Sequence, residues 1–585
     1  MTSAQQLITD NIDLWTGAIK AKSVSGRGTS SKRELYGIKK LRELILELAV
    51  RGKLVPQEVN DEPASVLLER IFVQKAELVK QKKIKNQKTL PSIDEDEAPF
   101  NLPYGWTWAR LGDVTNYGST IKVEAKDALS DTWVLELEDV EKVTSKLLKR
   151  VRFKDREFKS AKNRFSAGDV IYGKLRPYLD KVLVADEDGV CTTEMIPLRG
   201  YIGLKPEYLR LTMKCPYFIE YANESTHGMN LPRMGTDKAR MALIPIMSES
   251  EQHRIVTKVN ELMTLCDQLE QQTEASLDAH STLVETLLAT LTISADANEL
   301  AANWARIAEH FDTLFTTEQS IDALKQTILQ LAVMGKLVSQ DPTDEPASAL
   351  LERIAAEKAE LVKQKIIKKQ KVLPAISGEE KPFALPDGWK WCRLGEGLRL
   401  ISDYHANGGY KTLKENVELL DDADYAIMLR TTNFSKKNYN NYKYITQDAY
   451  NFLEKSKLYP GDIIMNKIGD PGASFYVEDR GKPMSLAMNL FLLRAQIVDS
   501  QYVFFYLSGN YDYIRSFANG TSTQTITKDA VANLVFPLPP FEEQHRIVAK
   551  VHQLTALCDQ LKLRLNQVQQ TQLNLADAIV ELHVY

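Results

Sequence analysis

The sequence predicts an α+β protein. It comprises two mixed α/β globules separated by long antiparallel, coiled-coil-like helical spacers, arranged as a pseudo-twofold internal repeat. Three observations carry this. EQHRIVTKVNELMTLCDQLE at 251–270 returns as EQHRIVAKVHQLTALCDQLK at 543–562, an offset of 292. Four further blocks return at an offset of 283: LAVRGKLV at 48–55, DEPAS at 61–65, AELVKQK at 76–82 and LPYGWTWARLG at 102–112. Their second copies begin at 331, 344, 359 and 385. Such a period marks a duplication, since solenoid repeats run to roughly 20–50 residues. Third, the helical spacing of apolar residues gives way, between the repeated blocks, to short apolar runs broken by Gly, Asp and Asn.

The expected divisions are a helical head at 1–100, a first globule at 101–248, a central helical spacer at 249–383, a second globule at 384–541 and a C-terminal helix at 542–585. Head and tail are two halves of one unit whose unbroken version lies in the middle. The head is therefore expected to pair with the C-terminal helix.

In chain order, residues 1–20 read as a short amphipathic helix carrying Leu7, Ile8, Ile12, Trp15 and Ile19. The Gly/Ser-rich 23–33 reads as a loop. Ile38, Leu41, Ile45 and Leu48 form one buried helical stripe, which Gly52 ends. Pro63, with Asp61 near the cap, opens a helix bearing Leu67, Leu68, Ile71 and Leu78, and the helix then runs into the basic KQKKIKNQK of 80–88. From Leu102 to about Ile246 the runs TWVLELEDV, GDVIYGKL, DKVLVADEDG and MALIPI read as strands. Ile255, Val259, Leu262, Cys266 and Leu269 then follow a heptad, which Leu283 and Leu287 resume. The tail copy carries Ile547, Val551, Leu554, Cys558, Leu561, Leu565, Val568, Leu575 and Ile579. Residues 296–375 repeat the head, with a second basic run at 363–371. In the second globule, GDIIMNKIGDPG at 461–472 matches GDVIYGKLRPYL at 168–179; before that Gly-Asp the two inserts diverge. A duplicated frame with different interiors suits a scaffold that presents two different binding surfaces.

The chain has 585 residues, a net charge of −4 and 44% hydrophobic residues. These numbers suit a multidomain soluble protein and neither advertise nor exclude nucleic acid. No apolar run is long enough to span a bilayer, and the first residues lack a basic-then-apolar leader, so a cytoplasmic setting is expected. Five scattered cysteines argue for reduced thiols, with Cys266 and Cys558 packed on equivalent apolar helix faces.

Together these features resemble the specificity (S) subunits of type I restriction–modification systems. The resemblance rests on the LP-x-GW-x-W-x-RLG opening of each insert, the Gly-Asp-(Val/Ile)-Ile strand within it, and the Pro-containing exit followed by EQHRIV-x-K-V. It implies that each insert is a target-recognition domain reading one half of a bipartite DNA site. It also implies that the helices set the spacing and dock two DNA adenine methyltransferase (modification) subunits, on which restriction/translocase subunits assemble. The S subunit is then non-catalytic and carries no cofactor; S-adenosylmethionine, ATP and Mg belong to the partner subunits. A helix of about 40 residues spans about 60 Å, long enough to bridge half-sites spaced by about 34–36 Å per DNA turn.

Within this reading, the cationic 145–165 segment offers Lys149, Arg150, Arg152 and Lys154 as DNA contacts. The alternative is a solvated face. In the second insert, 433–444 offers Lys436, Lys437, Tyr442 and Lys443, with a polar surface hairpin as the alternative. The matched strand offers Tyr172, Lys174 and Arg176 in the first insert and Asn466 and Lys467 in the second. The lysines of 80–88 and 363–371 suit a solvated helix face, a phosphate contact or partner docking.

Catalytic motifs are not found. Pro539-Pro540-Phe541 resembles an amino-methyltransferase loop, but Leu538 stands where a hydrogen-bonding side chain is required. There is no GxxxxGK[ST] phosphate loop and no glycine-rich cofactor strand–turn–helix. His253 and His545 start equivalent helices with no partner at metal spacing, so a capping or interface role is expected. The rival readings are a stand-alone DNA methyltransferase or nuclease, and a structural coiled-coil adaptor.

Overall fold

The structure, a computed structural model, describes residues 4–21, 33–84, 89–228, 230–295, 297–367, 369–435, 441–521 and 523–584. Six helices organise it: α1 (Tyr36–Val50), α2 (Ala64–Lys80), α3 (Glu249–Ile293), α4 (Glu318–Val333), α5 (Ala347–Lys363) and α6 (Phe541–Val584). Two compact units result, one made of Met1–Ser276 with Gln567–Tyr585, the other of Leu277–Asn566.

In the first unit α1 buries Ile38, Leu41, Leu44, Ile45 and Leu48, the stripe its 3–4 spacing predicts. Its polar flank is tied by ion pairs: Arg42 donates to Asp267 at 2.7 Å and Glu270 at 2.5 Å on α3. Head meets tail directly. The Tyr36 hydroxyl donates to Asp577 at 2.8 Å on α6, and Lys53 Nζ donates to the carbonyls of His583 and Val584 at 3.2 Å each. That lysine satisfies orphan carbonyls at a helix C-terminus. The second unit repeats the device. Lys336 Nζ donates to Thr292 O at 2.8 Å and Ser294 O at 2.9 Å, and Lys562 on α6 pairs with Asp322 on α4 at 2.9 Å.

The first insert contains β1 (Thr107–Arg110), β2 (Lys122–Val123), β3 (Trp133–Leu135), β4 (Lys162–Phe165), β5 (Val170–Gly173), β6 (Val182–Val184), β7 (Gly189–Cys191), β8 (Met195–Leu198) and β9 (Leu243–Ile246). β9 pairs antiparallel with β1, so the insert opens and closes on one two-stranded ribbon. Within it lie a sheet of order β8-β5-β6 and a sheet of order β2-β4-β7-β3, in which β3 and β7 run parallel.

The second insert contains β10 (Lys390–Arg393), β11 (Leu400–Asp403), β12 (Ala426–Leu429), β13 (Lys443–Ile445), β14 (Lys457–Leu458), β15 (Ile463–Asn466), β16 (Ser474–Tyr476), β17 (Met484–Leu486), β18 (Leu490–Arg494) and β19 (Val535–Leu538). β10 and β19 form the closing ribbon. The sheets have the orders β11-β18-β15-β16 and β13-β12-β17-β14, with β12 and β17 parallel. The three-stranded frames β8-β5-β6 and β4-β7-β3 of the first insert therefore recur as β18-β15-β16 and β14-β17-β12. The inserts differ in which edge strand is added and in their loops. Divergent sequence before the Gly-Asp strand thus conceals a shared frame.

Four local expectations change. Residues 4–17 form two short helices, Ala4–Asp10 and Ile12–Gly17; Trp15 is fully buried and Ile12 is exposed. In α3 the stripe resumes at Val284, Leu288 and Leu291, while Leu283 is exposed; in α6 Ala576 is buried and Val568 and Leu575 are exposed. Each buried residue lies where an α-helix of 3.6 residues per turn returns the Cys266 or Cys558 face, not where an underwound 3.5-residue heptad would. Finally, α2 and α5 end at Lys80 and Lys363, and Lys82 and Lys365 adopt φ of 55° and 59°. The basic runs therefore follow the helices and do not ride on them; residues 85–88 and Lys368 lie outside the described residues, as does most of 23–33. Asp61 does not cap α2, and instead accepts from Arg254 at 2.5 Å.

Candidate nucleic-acid interface

The repeated motifs form a clamp that holds each insert on its helices. Trp106 Nε1 donates to Glu251 at 2.8 Å, and Trp389 Nε1 to Glu543 at 2.9 Å. Gln57 and Gln340 donate to the other oxygens of the same carboxylates, at 2.6 and 3.1 Å. Gln252 accepts from Lys205 N at 2.9 Å, and Gln544 from Asp499 N at 2.8 Å. Arg254 pairs with Asp61, and Arg546 with Asp344 at 2.6 Å. The Glu, Gln and Arg of the Glu-Gln-x-Arg motif thus each have a fixed partner in the 57–61 or 340–344 segment, in GW or in the insert. Gly52 and Gly335 sit at φ of 65° and 69°, and a Cβ on either would lie 2.4–2.5 Å from Pro103 or Pro386, which explains the glycines before each opening.

On this clamp each insert carries the same loop cluster. In the first, the turn 192–194 between β7 and β8 is flanked by the end of β3, through Thr192 N to Leu135 O at 3.0 Å. The end of β5 flanks its other side, through Lys174 N to Glu194 O at 3.0 Å. The loop before Met234 closes over it, with Arg176 N donating to Pro232 O at 2.7 Å. In the second, the turn 487–489 is held by Ala487 N to Leu429 O at 3.0 Å and Lys467 N to Asn489 O at 2.9 Å. Gly469 N donates to Gln524 O at 3.1 Å.

The sequence-predicted residues divide over this frame. Lys174 and Lys467 occupy equivalent places in the two clusters. Lys467 Nζ lies 3.2 Å from Asp403 and 5.3 Å from the Phe491 ring centroid. Arg176 stands at φ 52° and its Nε has no partner. Tyr172, in contrast, is a core residue: it is buried, its hydroxyl contacts Met234 Sδ at 3.6 Å, and it offers nothing to solvent. Asn466 is also fully buried, with neither amide atom partnered. Both lie on strands covered on both faces.

The cationic segment is largely neutralised. Arg150 is bound by Asp186 at 2.7 Å and Glu187 at 2.8 Å and lies 4.4 Å from the Trp133 ring centroid. Arg152 pairs with Glu187, and Lys149 lies 3.5 Å from Glu138 and 3.6 Å from Asp139. Lys154 is exposed. Arg150 and Arg152 therefore fasten their segment to the 186–187 turn. Tyr442 is half-buried against the Phe434 cluster, and Lys443 pairs with Asp421. Lys436 and Lys437 lie outside the described residues.

Residues 386–570 match the family model described as the type I restriction modification DNA specificity domain. Over 601 aligned residues the chain is 42% identical to the EcoAI specificity subunit of a type I restriction enzyme from Escherichia coli, covering 99% of both chains. It is likewise 42% identical to the EcoEI specificity subunit of Escherichia coli, over 99% of both. The chain belongs to the family of type I restriction enzyme specificity subunits. The fold agrees: a chain in a solved type I restriction–modification complex superposes with a TM-score of 0.52 at 18% identity, covering 83% of this specificity subunit and 99% of that chain.

Other parts of this specificity subunit are structural. Leu538 is fully buried in β19, and the Pro539 and Pro540 carbonyls accept from the Gln544 side chain and backbone at 3.0 and 3.1 Å. The Pro-Pro-Phe segment is the turn into α6. His545 stacks edge-on against Phe541 at 4.5 Å. Cys266 and Cys558 are buried and free, and burial pushes the Cys266 thiol up to about 11. Among the described residues no cluster of His, Cys, Asp and Glu could hold a metal, and no helix is long and apolar enough to cross a membrane. Sequence reasoning missed Arg233, Glu194, Arg430 and Asn489, which surround the two turns. They are isolated polar residues outside any repeated or charged run, so only the fold brings them together.

Proposed function

We propose that each insert reads one half of a bipartite, asymmetric DNA sequence. The chain thereby serves as the DNA specificity subunit of a type I restriction–modification complex. The observation that carries this is the pairing of one clamp and one sheet frame, built twice, with loop clusters of different side chains at the same backbone positions. Lys174 and Lys467 are common to both clusters and suit phosphate, which positions without specifying. The residues that differ suit base edges. The subunit is non-catalytic and acts on DNA with methyltransferase and restriction subunits, as its full-length similarity to specificity subunits supports. We assign two methyltransferase copies, one to each repeat of the helical frame. The methyl donor and the nucleotide belong to those partners. Lys154 remains a proposed backbone contact, and Lys149, Arg150 and Arg152 become secondary ones that must exchange carboxylates for phosphate.

A genome-wide map of N6-methyladenine, made with and without this gene, tests the reading. The expected result is loss of one split motif methylated on both strands. A map unchanged by deletion, in a cell where the motif-bearing methyltransferase is active, contradicts it.

A further inference from the structure

The two turns that join the parallel strand to the next strand, 192–194 and 487–489, hold the same backbone position and opposite chemistry. In the first insert Glu194 accepts from Arg233 Nε at 3.0 Å, and Arg233 Nη1 donates to Leu231 O at 3.3 Å. Among the described residues, Nη2 and the second Nη1 hydrogen have no protein acceptor. The Arg233 side chain is 36% exposed. In the second insert Thr525 stands at the place of Arg233: Leu175 bridges to Arg233 and Ile468 to Thr525. There the turn itself presents Met488 and Asn489, both exposed, with Asn489 at φ 69°. The end of β3 is followed by Glu136, and the end of β12 by Arg430.

Residues whose backbones flank these turns carry unpartnered polar atoms. Arg176 Nε in the first cluster, and Arg430 Nε with both amide atoms of Asn466 in the second, have no hydrogen-bond partner. Asn466 is fully buried and pairs across the sheet with Leu490, the residue after Asn489. Its counterpart in the first insert is Gly173, so the frame does not require an amide there. A buried amide without protein partners is unfavourable, and its presence here calls for a reason that the frame itself does not give.

We propose that these turns are the base-reading elements of the two inserts: Arg233, oriented by Glu194, reads a guanine in one half-site, and Asn489 reads an adenine in the other. The assignment rests on the DNA-specificity reading above. A held guanidinium that can present one hydrogen from each Nη matches guanine O6 and N7, and a primary amide matches adenine N6 and N7. Glu194 is a positioning residue; Arg233 and Asn489 contact the bases.

The test uses the full chain, in cells carrying its modification partner but no restriction subunit, with methylated sites mapped genome-wide. Asn489→Gly keeps the left-handed backbone and removes only the amide. Arg233→Lys keeps the charge and removes the fork. Each variant should lose discrimination at one position of one half-site, by roughly 10- to 100-fold. The two variants should affect different half-sites, at an A·T pair for Asn489→Gly and a G·C pair for Arg233→Lys. Methylation of an unchanged motif at the wild-type level in either variant overturns the assignment. So does equal loss at both half-sites, which marks a folding defect and not a lost base contact. If the unmodified chain directs no split motif, the specificity reading falls, and this assignment with it.

Discussion

Replacing Trp106 by alanine should lower the unfolding free energy of the first unit by about 3–5 kcal/mol. Trp106 is 9% exposed and lies against Gly52, whose own geometry admits no Cβ. Its indole N–H is one of two donors to Glu251, which is buried at the start of α3. The variant therefore opens a cavity and strips a donor from a buried carboxylate, two effects that add. Urea unfolding of the full chain, followed by amide exchange in α1 and α3, measures the loss. A pH dependence accompanies it. Burial holds the Glu251 carboxyl above the ordinary glutamate range, and the Trp106 and Gln57 donors only partly oppose that. A carboxyl raised on folding contributes stability that is full below its unfolded pKa and is lost as pH rises through the folded value. Glu251→Gln should remove that slope and keep the indole bond. A slope that survives unchanged would mean another group is its source.

The second large effect is expected at Arg393. Its guanidinium is buried and spreads five bonds over the second unit: to the carbonyls of Pro374 at 3.0 Å, Ala375 at 3.1 Å and Asn533 at 2.8 Å, and to both Glu380 oxygens at 2.8 and 3.1 Å. It joins the linker before the insert to one end of the closing ribbon, where β10 ends and β19 begins. Arg393→Ala leaves three inward-facing carbonyls without a donor and should cost about 3 kcal/mol or more. Arg393→Lys should recover little of this, because a point charge cannot fill a planar fork. Arg393 also holds the Glu380 carboxyl down to about 2, with help from the Ser377 N–H. A carboxyl lowered on folding contributes stability that is present above its unfolded pKa and is lost as pH falls through the folded value. Acid should therefore weaken the wild-type unit between the ordinary glutamate range and about pH 2. The alanine variant should lack that step. Proton NMR of Glu380 in the variant should show its pKa back near the ordinary range.

The fold class was legible because the residues that return in sequence are those that touch. Glu251 and Arg254 repeat as Glu543 and Arg546, and all four hold partners that also lie in repeated blocks: Trp106, Asp61, Trp389 and Asp344. The shared sheet frame was hidden, because main-chain bonds such as Thr192 N to Leu135 O and Ala487 N to Leu429 O leave side chains free to diverge. Individual contact residues were harder still. Arg150 and Arg152 look cationic until the fold brings Asp186 and Glu187 to them from more than 30 positions away. Tyr172 and Asn466 look available under period-two alternation, but their strands are covered on both faces, where alternation carries no information.

The central claim is that the inserts are equivalent in frame and independent in what they read. The measurement that tests it most directly replaces residues 107–246 with a second copy of 390–538, leaving the helices intact, and maps the methylated sites that result. The account expects a split motif whose two halves carry the same sequence, that of the second insert, in inverted orientation. Persistence of the original first half-site would contradict it, because specificity would then reside outside the insert.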